Sequence, residues 1–266
     1  MTTIRPAIVA GLFYPASSHA LLTKIKYDLD SVTPPANLPR PKALIVPHAG
    51  YIYSGPIAAS AYALLVPYRQ QIKRVILIGP SHHVAFNGLA LSSADYFNTP
   101  LGQIAVDKEA QTKISTIEGV GILEQAYTEE HSLEVQLPFL QSVLNDFKIV
   151  PIVAGNASPQ IVDKVIETLW GGPETLIIIS SDLSHYHDYN TAQQLDNTTS
   201  QAIVSLDIDA IDSQHACGCI GIRGLLSFAQ HHPLDTRILD VRNSGDTAGD
   251  KDRVVGYGAY LFSEAA

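Results

Sequence analysis

The chain has 266 residues, 46% of them hydrophobic, which is enough for one large core, and a formal net charge of −9. An acidic chain without a cluster of Lys or Arg is a poor partner for nucleic acid or an anionic membrane. No apolar run approaches the roughly 18 residues of a membrane span, and the first twenty residues do not follow a signal-peptide plan, so the expected setting is cytoplasmic.

In chain order, a helix is predicted over 18–30, followed by the Pro-rich loop SVTPPANLPRP (31–41) and the apolar run ALIVP (43–47). Gly55-Pro56 opens a small, Ala-rich helical stretch over 55–66, because proline suits a first helical turn. The runs RVILIGP (74–80) and GLALSS (88–93) come next. Residues 132–145 carry Leu133, Leu137, Leu140 and Leu144 on one stripe, with Pro138 either kinking that helix or marking its true start. After KIVPIVAG (148–155), a helix over 158–169 sets Ile161, Val165 and Leu169 on one face. TLIIISS (175–181) precedes helices over 188–206 and 218–230, and the runs TRILDVR (236–242) and VVGYGAYLF (254–262) flank a Gly- and Asp-rich loop, NSGDTAGDKD (243–252). Near-continuous apolarity marks strands covered on both faces. Their alternation with helices predicts a single α/β domain over 1–266, a mainly parallel or mixed sheet flanked by helices.

Three of these runs end in ionisable side chains. His48 follows ALIVP, His82 and His83 follow RVILIGPS, and Asp182 and His185 follow TLIIISS. A single histidine after a strand is usually a loop residue with a satisfied hydrogen bond, and Asp182 also suits the N-cap of a helix. The coincidence at three strand ends is what points to function, because ligands of open α/β sheets bind just beyond the carboxyl ends of the strands. Histidines grouped with a carboxylate or thiolate suit metal binding and proton transfer.

The segment QHACGCIGIRGLL (214–226) offers a third ligand. A thiolate with two imidazoles suits Zn, Cu or Fe(II), although Cys217 and Cys219 equally read as small hydrophobes at a helix start, and His215 competes as donor. In TEEHSLEVQLPFL (128–140), His131 and Glu134 read as a solvated helix entrance, with His131 also able to line the crevice.

The blocks PHAGYIYSG (47–55), GPSHH (79–83), EEHSLEVQLPFL (129–140), SSDLSHYH (180–187), CGCIGIRGLL (217–226) and YGAYLF (257–262), with RPAIVAGLFYPAS near the start, resemble the signature blocks of the Memo family, in order and over almost the whole chain. The resemblance implies the fold of class III extradiol dioxygenases, with a non-haem metal site in a cleft. It implies metal ligands His48, His82 and Cys217, with Asp182 and His185 beside them and His185 in the place of the dioxygenases' catalytic base. Phe13 and Tyr53 match pocket aromatics, Phe13 standing where some relatives carry Trp, and His83 and His131 are further lining positions. Where the dioxygenases complete a two-His, one-carboxylate face, this chain offers Cys217, with Cys219 as the other sulfur. A thiolate donates more charge than a carboxylate and is itself oxidisable, so ring-opening chemistry is not simply inherited. The expected cofactor is Fe(II) or Cu, giving a redox metalloprotein; Zn would instead support hydrolysis, and a binding or adaptor module would use the same cleft without chemistry. A small-molecule or peptide ligand is expected in the cleft, and the family's association with AMMECR-type and radical-SAM proteins implies a functional link to both.

Overall fold

The computed structural model describes residues 2–35 and 37–265, so Ala36 of the 31–41 loop lies outside the described residues. The strands are β1 (Ile4–Arg5), β2 (Ala43–Val46), β3 (Arg74–Pro80), β4 (Leu89–Leu91), β5 (Tyr96–Thr99), β6 (Gly102–Val106), β7 (Val120–Ile122), β8 (Lys148–Ala154), β9 (Thr175–Ser180), β10 (His185–His187), β11 (Leu234–Asn243) and β12 (Val254–Glu264). The helices are α1 (Ser18–Asp30), α2 (Tyr51–Tyr62), α3 (Lys108–Ile114), α4 (Leu137–Val143), α5 (Pro159–Leu169), α6 (Tyr189–Val204) and α7 (Cys219–His231).

Four of the apolar runs form the parallel centre of a mixed sheet, in the order β8-β3-β9-β2. Successive side chains on a strand point to opposite faces, and here both faces are covered. Leu44, Val46, Leu77 and Ile178 face a core shared with α1, α2 and α4, while Ile45, Ile76, Ile78 and Ile179 face one shared with α5 and α7. Burial on both sides accounts for the unbroken apolar runs. Beyond β2 the sheet turns antiparallel: β12 pairs with β2, and both β10 and β11 pair with β12. The predicted single α/β domain with a sheet flanked by helices is the observed one, and none of its described helices is long and apolar enough to cross a membrane.

Several boundaries differ from expectation. The helix predicted over 55–66 begins four residues earlier, at Tyr51, and holds Pro56 inside it; its last predicted residues run into a 3-10 turn, Ala63–Tyr68. Proline removes the hydrogen bond to the carbonyl four residues back, which belongs to Ile52, an exposed residue whose carbonyl water can serve. Pro138 marks a start: a 3-10 turn, Glu134–Gln136, leads into α4 with Pro138 in its first turn. The hairpin β5–β6, the short strands β1, β7 and β10, and α3 are additions the apolar runs did not reveal. Strand β10 carries a bulge: His185 and His187 pair with the adjacent residues Val255 and Val254, so Tyr186 is extra and adopts φ 64°.

Candidate functional site

The parallel register brings the strand ends level. Val46 pairs with Ser180 and Ile78 with Ile179, so His48, Asp182 and His82 leave adjacent strands on the same side of the sheet. They enter a cavity of about 630 Å³ whose lining also includes Phe13, Tyr53, His131 and His185. Its far wall is the predicted 243–252 loop with the start of β12, contributing Ser244, Arg253 and Tyr257.

Three imidazoles converge there. Donor atoms of His48, His82 and His131 all lie within 4.8 Å of one another. The His82 and His131 rings stack at 4.6 Å between centroids, His48 meets both edge-on, and Phe13 backs His131 at 4.5 Å. Each of the two strand-end rings is held through Nδ1, His82 by Glu130 Oε1 at 2.9 Å and His48 by the Ser180 hydroxyl at 2.9 Å. That leaves Nε2 of His82 open to a ligand, while Nε2 of His48 faces the Cys217 sulfur at 3.3 Å. A metal-binding histidine characteristically has its other nitrogen fixed in this way, which orients the ring and strengthens it as a donor.

The structure does not bring Cys217 into that group. Its sulfur lies 3.3 Å from His48 Nε2 and accepts a hydrogen bond from the Asp182 backbone N–H at 3.3 Å, but it does not line the cavity, and His131 is the third member instead. The Asp182 amide and carbonyl hold the Cys217 segment against the end of β9, with the Cys217 N–H donating back to the Asp182 carbonyl. Between the two sulfurs the placement is clear: Cys219 opens α7 facing the apolar core, and Cys217 faces His48. Gly218 makes this possible, since a Cβ there would sit 2.6 Å from Ser181 Cβ. His215 pairs with Asp212 at 2.8 Å and takes no part. His83 is half-exposed beside Glu129 and does not line the cavity.

Glu130 is the residue that motif reading passed over. It accepts from the His82 backbone N–H at 2.6 Å and the Ser132 N–H at 2.8 Å as well as from the His82 ring, and lies 3.7 Å from His131 Nδ1. The signal was present as an acid directly before His131, but a carboxylate in TEEHS reads as solvent-facing until its burial is known. Glu134 corrects the same reading: far from marking a solvated entrance, it is fully buried. It accepts hydrogen bonds from Arg5, the Ile8 and Val9 N–H groups and the Tyr14 hydroxyl, and Arg5 also donates to the Glu130 carbonyl. This clasp fixes the segment that carries Phe13.

The electrostatics favour neutral donors. Burial, with repulsion from neighbouring rings, lowers His48 to about 3 and His131 to about 4. Burial acts on His82 in the same direction, but the hydrogen bond and charge of Glu130, with Asp182, outweigh it and raise the ring's proton affinity. Burial likewise opposes ionisation of Glu130, yet its bonds from His82 and Ser132 bring it down to about 2. Burial raises Asp182, whose Oδ1 accepts from the His48 and Ala49 N–H groups while Oδ2 lies 4.0 Å from His48 Nε2. Burial and the nearby Asp182 raise the Cys217 thiol.

A family model described as Memo-like protein matches residues 5–261. Similar proteins include MEMO1 family proteins of Thermotoga neapolitana (35% identical, covering 98% of this chain and 100% of that one), Ignicoccus hospitalis (34%; 97% and 98%) and Sulfolobus acidocaldarius (34%; 98% and 100%).

Proposed function

This chain belongs to the Memo-like protein family, and from that premise we propose that it binds one redox-active metal ion, Fe(II) or Cu, in the histidine-lined cleft and acts there on a small-molecule or peptide ligand. The observation that carries the reading is the convergence of three imidazole donors, two of them with Nδ1 already occupied. Imidazole suits Fe, Cu and Zn alike, so the donor set fits the ion without selecting among them. His48, His82 and His131 would hold the ion, with the Cys217 sulfur beside them at 3.3 Å from His48 Nε2. When bound, the ion supplies one-electron and Lewis-acid chemistry.

The remaining roles fall to the chain itself. Phe13 and Tyr53 give the cleft apolar walls beside the ring cluster. Asp182, its proton affinity raised by burial, places Oδ2 4.0 Å from His48 Nε2, where it is positioned to exchange a proton with the rings. His185, on the cleft lining, is placed to pass a proton to a ligand group brought within about 3 Å. The expectations of a cytoplasmic setting and of a link to AMMECR-type and radical-SAM proteins belong to the same proposal.

Elemental analysis with electron paramagnetic resonance, on protein purified without oxygen or chelators, tests it. The expected result is one iron or copper per chain, lost in His48→Ala. Full occupancy by zinc from metal-replete cells would overturn the redox reading and favour hydrolysis, for which three histidines and an open position are an established donor set.

A further inference from the structure

We propose that Ser180, with Gln136 and Tyr62 behind it, is a positioning relay that fixes the tautomer of His48, keeping the ring proton on Nδ1 and the lone pair on Nε2. The argument is one of donors and acceptors, counted from the groups that have no choice. The Pro47 carbonyl can only accept, and Gln136 Nε2 lies 2.9 Å from it, which orients the amide. Gln136 Oε1 then accepts from the Tyr62 hydroxyl at 2.8 Å, and Nε2 also donates to Ser180 Oγ at 2.7 Å. The Ser132 carbonyl can likewise only accept, and Ser180 Oγ lies 2.6 Å from it, so the single hydroxyl proton of Ser180 is committed there. Ser180 therefore has only a lone pair left for His48 Nδ1 at 2.9 Å, and His48 must donate.

The opposite tautomer would need the Ser180 proton for Nδ1, leaving two oxygens facing each other at 2.6 Å with no hydrogen between them. Ser132, Gln136, Ser180 and His48 are all buried, so water does not rescue that arrangement. The relay reaches from α2 through the segment before α4 to the end of β9. Its use to function rests on the metal reading above: the lone pair fixed on Nε2, which accepts from the Cys217 thiol at 3.3 Å, becomes available to an ion once that thiol turns away, with no proton to remove from the ring. Glu130 does the same for His82 by charge, whereas this relay is built from neutral groups alone.

The test is the long-range nitrogen–proton correlation spectrum of the imidazoles in metal-free protein labelled with 15N-histidine, near pH 7, together with Zn²⁺ titration. The expected spectrum shows His48 as Nδ1–H. In Ser180→Ala the Nε2–H form appears, His82 stays Nδ1–H as the internal control, and Zn²⁺ affinity falls about 10- to 100-fold. A wild-type spectrum showing His48 as Nε2–H overturns the proposal without any variant, and so does an unchanged His48 pattern in Ser180→Ala. If the tautomer behaves as expected but no metal binds, the relay stands and the metal reading falls.

Discussion

Glu130 grips His82 twice, accepting from its ring Nδ1 at 2.9 Å and from its backbone N–H at 2.6 Å. One buried carboxylate thus sets both where the residue sits and how its ring is turned. Replacing Glu130 with Gln keeps the shape and removes the charge. The expected outcome is a 10- to 100-fold loss of metal affinity and roughly 1–3 kcal/mol of stability, read by isothermal titration with Zn²⁺ and by urea unfolding. Unchanged affinity would mean that His82 is not a ligand or needs no such support.

The buried neutral rings of His48 and His131 should cost stability in acid above the ordinary carboxylate range. His48 and His131, lowered to about 3 and about 4, remain neutral in the folded chain while imidazoles of the unfolded chain take protons near 6.5. The unfolded state then binds more protons, so stability falls as pH drops from about 6.5 towards 4, by up to about 1.4 kcal/mol per pH unit for each ring. Glu130 extends the fall: its contribution is complete above 4.5 and is lost from there down to about 2. His82, raised by Glu130, and the buried carboxyls of Asp28, Asp182 and Asp196, raised by burial (Asp196 to about 6), act oppositely, being most stabilising when protonated. Calorimetric Tm values of metal-free wild type and His48→Gln, compared from pH 7 to 4, isolate the ring: the wild type should lose more stability on acidification than the variant, and parallel profiles contradict the burial of a neutral His48.

Gly218→Ala places a methyl group 2.6 Å from Ser181 Cβ and 2.7 Å from the Ser180 carbonyl oxygen, where backbone cannot yield cheaply. We expect a loss of about 1–3 kcal/mol and a displaced Cys217. Denaturant midpoints and the reactivity of Cys217 towards a thiol reagent report the two effects separately, and wild-type values for both would refute the close approach.

The N-terminal clasp should matter to both stability and site. Arg5→Met leaves Glu134 buried without its cation, an arrangement expected to cost about 3–5 kcal/mol, or on the order of 10 °C in Tm. Because Phe13 backs His131, weaker metal binding should accompany the loss. Glu134→Gln, which retains hydrogen-bonding capacity, should be milder on both measurements.

Much of the site was legible because strand and ligand share one signal: a run of β-branched residues that ends abruptly in His or Asp. His48, His82, Asp182 and His185 were read that way, and the structure brings all four to one cavity. What escaped was set by tertiary contact. Glu130 and Glu134 look like surface acids in sequence, and it takes partners at least 120 positions away, the Arg5 guanidinium with the Ile8 and Val9 N–H groups and the Tyr14 hydroxyl, to make the burial of Glu134 tolerable. His131 was read only as a lining position; it joins the ring cluster from the loop ahead of the 3-10 turn Glu134–Gln136, which has no periodic pattern. The hairpin β5–β6 was missed because its outward side chains face solvent and break the apolar run.

The topology also dictates when the site can come into being. Among the described strands β10 pairs only with β12, which joins it to β2, so residues near 48, 185 and 255 must meet before the cleft has walls. Contacts of such separation form late and slowly. On the proposed metal reading, an ion arriving earlier would meet loose imidazoles on a flexible polymer, so loading would follow folding and the metal acquired would reflect what surrounds the finished protein.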